Sequence, residues 1–245
     1  STFNAIKIKN NKIYLTGFKT TSGLNFPLKN SGNWYYSTAS SGLTDAIFTI
    51  FNNKDSLLHS TYIAGDDWQV GEDIDVDALG KVYISGKTES TVFPASVSQA
   101  PNTYIQSFNG YNDMFIFALE PGNTNIVWAT NIGGTNFDGS VLYPGGSSID
   151  INQLNMLHLA GSTMSNTLFP LYSGTVGVTY FDGGFNSGVD VSITRFNLHP
   201  INFVGIKENQ KNDLAEFLIY PNPTQSIINV KLNATNEHTF YYIYN

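Results

Sequence analysis

Ile74-Asp75-Val76-Asp77-Ala78-Leu79-Gly80-Lys81-Val82-Tyr83-Ile84-Ser85-Gly86-Lys87-Thr88-Glu89-Ser90-Thr91-Val92-Phe93-Pro94 is the stretch that decides the fold. Short apolar alternations flank the turn residues Asp77 to Gly80, the pattern of two strands joined by a tight turn. Working outward, the order Gly, Ser, Phe-Pro, Asp occurs three times. It reads Gly17, Ser22, Phe26-Pro27, Asp45; then Gly86, Ser90, Phe93-Pro94, Asp113; then Gly161, Ser165, Phe169-Pro170, Asp190. The glycines stand roughly 70 residues apart, spacing that marks one supersecondary unit repeated in tandem. The steps from Phe26 to Asp45, Phe93 to Asp113 and Phe169 to Asp190 are 19, 20 and 21 residues.

Each unit reads locally as two hairpins. Ile6, Ile8, Asn10-Asn11, Ile13, Tyr14 and Leu15 form the first-unit counterpart of the quoted hairpin. Ile149, Ile151, Asn152 to Asn155, Met156, Leu157 and Leu159 form the third. Beyond each Phe-Pro corner a polar loop leads to a second hairpin: Ala46 to Phe51 turning into Leu57 to Ile63, and Met114 to Leu119 turning into Ile126 to Ile132. About four strands per unit and no helical period predict an all-β protein of four-stranded antiparallel sheets, the makeup of a β-propeller blade.

Ala64-Gly65 or Gly133-Gly134, an Asp a few residues on (Asp67, Asp138), the Ile-x-Val-Asp-x-x-Gly hairpin, Val82-Tyr83-Ile84-x-Gly86-x-Thr88-x-Ser90 and Phe-Pro together resemble the bacterial SBBP-type β-propeller repeat. The second unit, Ala64 to Pro94, carries the likeness best. The third departs from it by a longer step from Gly133 to Ile149 and by His158 in place of tyrosine, and the first lacks the Gly-Gly segment. The resemblance implies about three blades of a larger propeller, since closed propellers have roughly four to eight.

Phe217-Leu218-Ile219-Tyr220-Pro221-Asn222-Pro223-Thr224, followed by Ile227-Ile228-Asn229-Val230, is similar to the opening of the C-terminal sorting domain of type IX secretion cargo. Two prolines fix φ and remove two N–H donors, so this segment cannot be the middle of a sheet. The charged run Lys207 to Asp213 precedes it. The expected organisation is therefore repeats over 1–206, a linker over 207–213, and over 214–245 part of a β-sandwich sorting domain, with Tyr220, Pro221, Asn222, Pro223 and Thr224 as the sorting motif. The resemblance implies, as partners, the type IX translocon and an outer-membrane shuttle barrel, and it implies a place outside the outer membrane.

Lys and Arg number 12 against 19 Asp and Glu, a net charge of −7, and only 13% of the 245 residues are charged. Such an acidic, charge-poor surface disfavours nucleic acid and anionic lipid. The chain has no cysteine, which removes disulfides, thiolate nucleophiles and thiolate-bound metals. No apolar run approaches the ~18 residues of a membrane-spanning helix, and 41% hydrophobic residues with 14% aromatic suffice for a core.

Candidate chemistry is sparse. Asp66, Asp67, Glu72, Asp73, Asp75 and Asp77 form the densest acidic cluster, but an EF-hand starting at Asp73 would need glycine at Ala78 and glutamate at Ile84. Asp77 aligns with Asn152, so turn capping is the stronger reading and a different cation site the weaker. His59, His158, His199 and His238 show no ligand spacing, and His158 holds the strand position of Tyr14 and Tyr83. No Gly-x-Ser-x-Gly elbow is present. Trp34, Tyr35, Tyr36, Tyr104, Phe108, Tyr111, Tyr172, Tyr180 and Phe181 gather in the loops. They read first as cover for sheet surface and second as a stacking face for a glycan or a surface protein. Asp55-Ser56-Leu57 fits a short pattern for bacterial O-glycan attachment and is also a plain hairpin turn. The expectation is a secreted or cell-surface, non-enzymatic propeller protein without catalytic residues, cofactor or metal, serving adhesion or binding. The rival is a propeller-based polysaccharide lyase or glycosidase.

Overall fold

The computed structural model describes residues 1–20, 26–40, 43–92, 104–139, 146–170, 188–198, 218–220 and 229–231. The chain divides into two compact units, Ser1–Pro200 and Ile201–Asn245. Among the described residues there is no helix, and every sheet is an open antiparallel one.

In the first unit β1 (Thr2–Lys9), β2 (Lys12–Thr20), β3 (Thr44–Asn52) and β4 (Leu57–Ile63) form sheet 1. The next four, β5 (Gln69–Val76), β6 (Val82–Thr88), β7 (Asp113–Leu119) and β8 (Trp128–Ile132), form sheet 2. Sheet 3 holds β9 (Ser148–Ile151), β10 (Met156–Thr163) and β11 (Asp190–Asn197). Its order, like that of the others, is simple up-and-down succession, and a fourth strand of that unit would fall outside the described residues. In the second unit β12 (Leu218–Tyr220) pairs with β13 (Asn229–Lys231).

Local chemistry explains the hairpins. Asn10 and Asn11 both take positive φ, 51° and 57°, the paired left-handed conformation that a two-residue turn between twisted strands demands. At the corresponding turns of sheets 2 and 3, Gly80 (φ 86°) and Asn155 (φ 54°) take the same single position. The repeated glycines answer to a β-bulge. Register slips between Phe3 and Ala5 and between Gly71 and Asp73, opposite Gly17 and Gly86. A Cβ at Gly17 would lie 2.0 Å from the Thr2 carbonyl oxygen, and one at Gly86 2.0 Å from that of Val70. Backbone cannot yield as a side chain can, so only glycine fits.

The sheets stack face to face. Tyr14, Ala46, Phe48, Ile50 and Ile63 of sheet 1 meet Ile74, Val76, Val82, Ile84, Phe115, Phe117 and Leu119 of sheet 2 in the first core. The opposite face of sheet 2, with Tyr83, Met114, Ile116, Ala118 and Ile132, meets Ile149, Leu157 and Leu159 of sheet 3 in the second. Sheet 2 is thus interior on both faces, and all seven residues of β7 are buried. The first strands of successive units, β1, β5 and β9, adjoin one another in that order. Of the Phe-Pro corners, Phe26 packs on Ile47 and Tyr62, its ring 5.6 Å from the Tyr62 ring, and Phe169 packs against the second core. Phe93 lies outside the described residues.

Candidate functional site

The polar groups converge on the two junctions between sheets. One row runs along the adjoining first strands. Asn4 and Glu72 are the extra residues of the two bulges, and a bulge re-aims its side chain. Asn4 Nδ2 donates to the Gly71 carbonyl at 2.8 Å, and Glu72 Oε2 accepts from Ser147 N at 2.7 Å. Further along, Lys9 Nζ donates to the Val76 carbonyl at 2.7 Å and Lys7 Nζ sits 2.7 Å from Asp75 Oδ1. From sheet 2 to sheet 3, Asp73 Oδ2 accepts from Ile149 N at 2.9 Å and Asp75 Oδ2 from Ile151 N at 2.7 Å. The side chains of each first strand therefore pin the first strand that follows. The hydrogen bond that Lys7 donates to Asp75, with the negative charge of that carboxylate, raises the Lys7 pKa. Burial raises that of Glu72, against the pull of the Ser147 amide and of Lys87, whose Nζ lies 3.4 Å away and 5.1 Å above the Trp68 ring.

A second row lies where the loops leave the sheets. Ser90 Oγ donates to Asp66, whose carboxylate also accepts from Thr91 Oγ1 and Val92 N, and these bonds hold its pKa down to about 2. In the next unit Ser165 Oγ donates to Asp138 Oδ2 at 2.8 Å and accepts from Asn136 N at 2.8 Å. Gly65 N bonds Gln69 Oε1 and Gly134 N bonds Asp138 Oδ2, so Gln69, not Asp67, is the counterpart of Asp138. The reason is reach: only a side chain four residues on closes this loop back to the glycine amide. Asp113 and Asp138 are both fully buried, and burial raises both their pKa values, Asp113 to about 8 with the Asp138 charge contributing. Asp113 was legible in sequence as a repeat anchor. Asp138 was legible too, as the Asp after Gly133-Gly134, but its match to Gln69 in place of Asp67 and the role of the bulge residues were not, because only the fold shows which junction they face.

The acidic cluster thus disperses into separate bonds. Asp77 Oδ1 caps the amides of Leu79 and Lys81 at 2.9 Å each, as Asn152 Oδ1 caps Leu154 and Met156. Among the described residues no three His, Asp or Glu side chains stand together as metal ligands. His59 is buried in sheet 1. Its Nε2 lies 3.0 Å from the Tyr35 carbonyl, which can only accept, so Nε2 carries the proton and Nδ1 accepts from Ser31 N at 3.4 Å. Burial lowers its pKa. His158 lies on the outer face of sheet 3, opposite Asp150 and Arg195 in register. His199 and His238 lie outside the described residues. Ser165 Oγ, between the Asn136 amide and the Asp138 carboxylate, fastens the loop of one junction to the end of β10.

The loop aromatics divide. Trp34 packs on Phe48, Tyr35 on Phe117 and Tyr36 on His59, as cover for sheet surface. Tyr111 is exposed and stacks on Phe137, ring centroids 4.9 Å apart, and exposed Tyr104 packs on Phe196. Phe108 is half-buried, and Tyr172, Tyr180 and Phe181 lie outside the described residues. Asp55 and Ser56 are exposed at the turn between β3 and β4. Of the residues read in the sequence as a sorting motif, Tyr220 ends β12 opposite Asn229, while Pro221, Asn222, Pro223 and Thr224, like the charged run 207–213, lie outside the described residues. No family model and no curated protein matches the chain. No helix among the described residues is long and apolar enough to cross a membrane.

Proposed function

We propose that this chain is a secreted or cell-surface, non-enzymatic repeat protein of β-propeller type, carried out of the cell as cargo of type IX secretion, with its loop face serving adhesion or binding. The observation that carries the reading is the run Tyr220-Pro221-Asn222-Pro223-Thr224 placed after three β repeats and a charged linker. Supporting it, the residues around that run belong to a compact unit separate from the repeats, and those flanking it pair as β12 and β13. A sorting element read by a translocon needs that kind of independence from its passenger. The propeller part of the reading is supported by successive antiparallel sheets stacked face to face with their first strands adjoining. Exposed Tyr111 on Phe137 offers a ring surface of the kind that packs on sugars or partner proteins.

The test is export. The complete C-terminal domain to which residues 214–245 belong, fused to a fluorescent reporter already directed to the periplasm in a cell with a working type IX apparatus, places the reporter outside the outer membrane. The same fusion with Pro221→Ala and Pro223→Ala loses most of that signal. Equal export of reporter lacking the segment would end the sorting reading.

A further inference from the structure

The chain crosses from sheet to sheet twice, and the two crossings are built alike but charged differently. At the first, Gly65 N donates to Gln69 Oε1 at 3.0 Å; at the second, Gly134 N donates to Asp138 Oδ2 at 2.7 Å. Each crossing runs alongside the residue before a repeat aspartate, Trp68 bridging Thr44 and Phe137 bridging Asn112. Those aspartates, Asp45 and Asp113, are fully buried. Opposite Asp45 in register stands Lys19, itself buried, and opposite Asp113 stands Thr88. The first crossing therefore brings together one buried carboxyl, a lysine and an amide, the second two buried carboxyls and a hydroxyl.

At the second crossing Asp113 Oδ2 accepts from Asn109 N at 2.8 Å, while Asp138 Oδ2 accepts from both Gly134 N and Ser165 Oγ. Oδ1 of each is buried with no hydrogen-bond partner, and Asp113 Oδ1 leans on Gly133, where a Cβ would lie 2.0 Å from it. Among the described residues no lysine or arginine pairs with either carboxyl. Lys87 of β6 reaches Glu72 and the Trp68 ring instead, Glu89 beyond it and Asp190 opposite Thr163 are themselves acids, and Tyr111 stacks on Phe137. His158 and Arg195 pair farther along sheet 3. With two donors Asp138 is the better seat for a negative charge. A second charge on Asp113 would be taken out of water with no counter-ion, which disfavours it strongly.

We infer that the crossing from sheet 2 to sheet 3 is a proton-held joint: Asp113 and Asp138 keep a proton between them while Gly133-Gly134 is seated, and its loss in alkaline solution releases this crossing while the one from sheet 1 to sheet 2 stays closed. The proton belongs to the pair, and the geometry puts it on Asp113. Burial, with the Asp138 charge adding to it, pushes the Asp113 pKa up to about 8. Once the crossing opens, water reaches the carboxyl and it ionises in the ordinary range. Opening therefore releases a proton, and its equilibrium constant rises about tenfold per pH unit until the seated carboxyl itself ionises. The inference stands apart from the export reading.

Hydrogen exchange read by mass spectrometry tests it, each rate being divided by its intrinsic rate at the same pH so that the ratio reports local opening. In the unaltered chain, opening over residues 134–138 grows about tenfold per pH unit and levels off near pH 8, while opening over residues 65–69 holds steady. Asp113→Asn removes most of that rise. Asp138→Asn keeps the acceptor for Gly134 but withdraws the charge, so the levelling moves to lower pH. Should Asp113→Asn fail to fold, the shift in Asp138→Asn and the contrast between the two crossings still decide. Equal pH dependence at both crossings, or a rise that survives Asp113→Asn, overturns the joint. So does a crossing that calcium chloride closes again in alkaline solution, since the carboxylates would then hold a cation and not a proton.

Discussion

Sheets 2 and 3 repeat one plan, yet β7 and β11 solve it differently. In β7 both faces are apolar and every residue is buried, Met114, Ile116 and Ala118 on one side, Phe115, Phe117 and Leu119 on the other. In β11 the inward positions are Ser192, Thr194 and Phe196, and the outward ones are Val191, Ile193 and Arg195. Two of the larger aliphatic side chains therefore point to the open side. Alternation is the mark of a strand with one wet face, so reading β11 by pattern alone would bury the wrong parity. What the contrast teaches is that burial here follows position in the stack: among the described residues the same strand of the repeat is buried on both faces in β7 and on one face only in β11.

Truncation should break the comparison most sharply. Phe117→Ala empties a fully buried ring site between sheets 1 and 2 and is expected to cost about 3–5 kcal/mol. Ile193→Ala, on the open face, is expected to change stability by no more than about 0.5 kcal/mol in dilute solution. Denaturant titration of both variants decides, and equal losses would show that the rear face of sheet 3 is packed after all.

A smaller effect separates the sheets by pH. Asp113 keeps its proton in the folded chain up to about pH 8, chiefly because it is buried, whereas in the unfolded chain it ionises in the ordinary carboxyl range. Between those values the unfolded state binds fewer protons, so stability falls as pH rises. The Asp113 share of the loss from pH 5 to pH 7 is expected to be about 3 kcal/mol, and Asp113→Asn should remove that share, leaving the slope of the same sense that buried Asp138 and Glu72 contribute. His59 acts in the opposite sense. Its pKa is lowered by burial, so the unfolded state binds the extra proton, and stability falls as pH drops below about 6.5. Melting curves of the unaltered chain and of Asp113→Asn across this range isolate the two slopes. A profile that Asp113→Asn leaves unchanged would mean that the carboxyl is already ionised in the fold.

The repeat was legible because it leaves marks that local chemistry enforces: glycine where a bulged first strand crosses at Gly17 and Gly86, Asx residues at hairpin turns, aspartate at the start of β3, β7 and β11. The all-β class and the strand order within each sheet followed from those marks. Sheet-to-sheet fastening was not legible, since Asn4, Lys7, Glu72, Asp73 and Asp75 find their partners about 70 residues away and nothing in their own neighbourhood signals it. The acidic cluster shows the limit most plainly. Six carboxylates close in sequence suggest a shared ligand, but strand alternation and a turn send them to different partners.

The smallest expected effect sharpens the comparison at the turns themselves. Asp77 and Asn152 make the same pair of bonds to backbone amides two and four residues on, but Asp77 is 4% exposed and Asn152 is at the surface. Removing the cap therefore has different consequences. Asp77→Ala strips acceptors from amides that water reaches poorly and is expected to cost about 1–2 kcal/mol, whereas at Asn152→Ala solvent takes over the lost bonds and the cost is about 0.5 kcal/mol. Asp77→Asn should retain nearly all the stability, because an amide oxygen accepts the same two bonds in the equivalent turn of sheet 3. It also withdraws one of the two carboxylates, Asp77 and Glu120, that add to burial in raising the pKa of Tyr83, so the tyrosine should ionise more readily in an alkaline absorbance titration. If Asp77→Asn were as damaging as Asp77→Ala, the negative charge, and not the geometry of the turn, would be what this position requires, and the likeness between the two hairpins would end at their backbones.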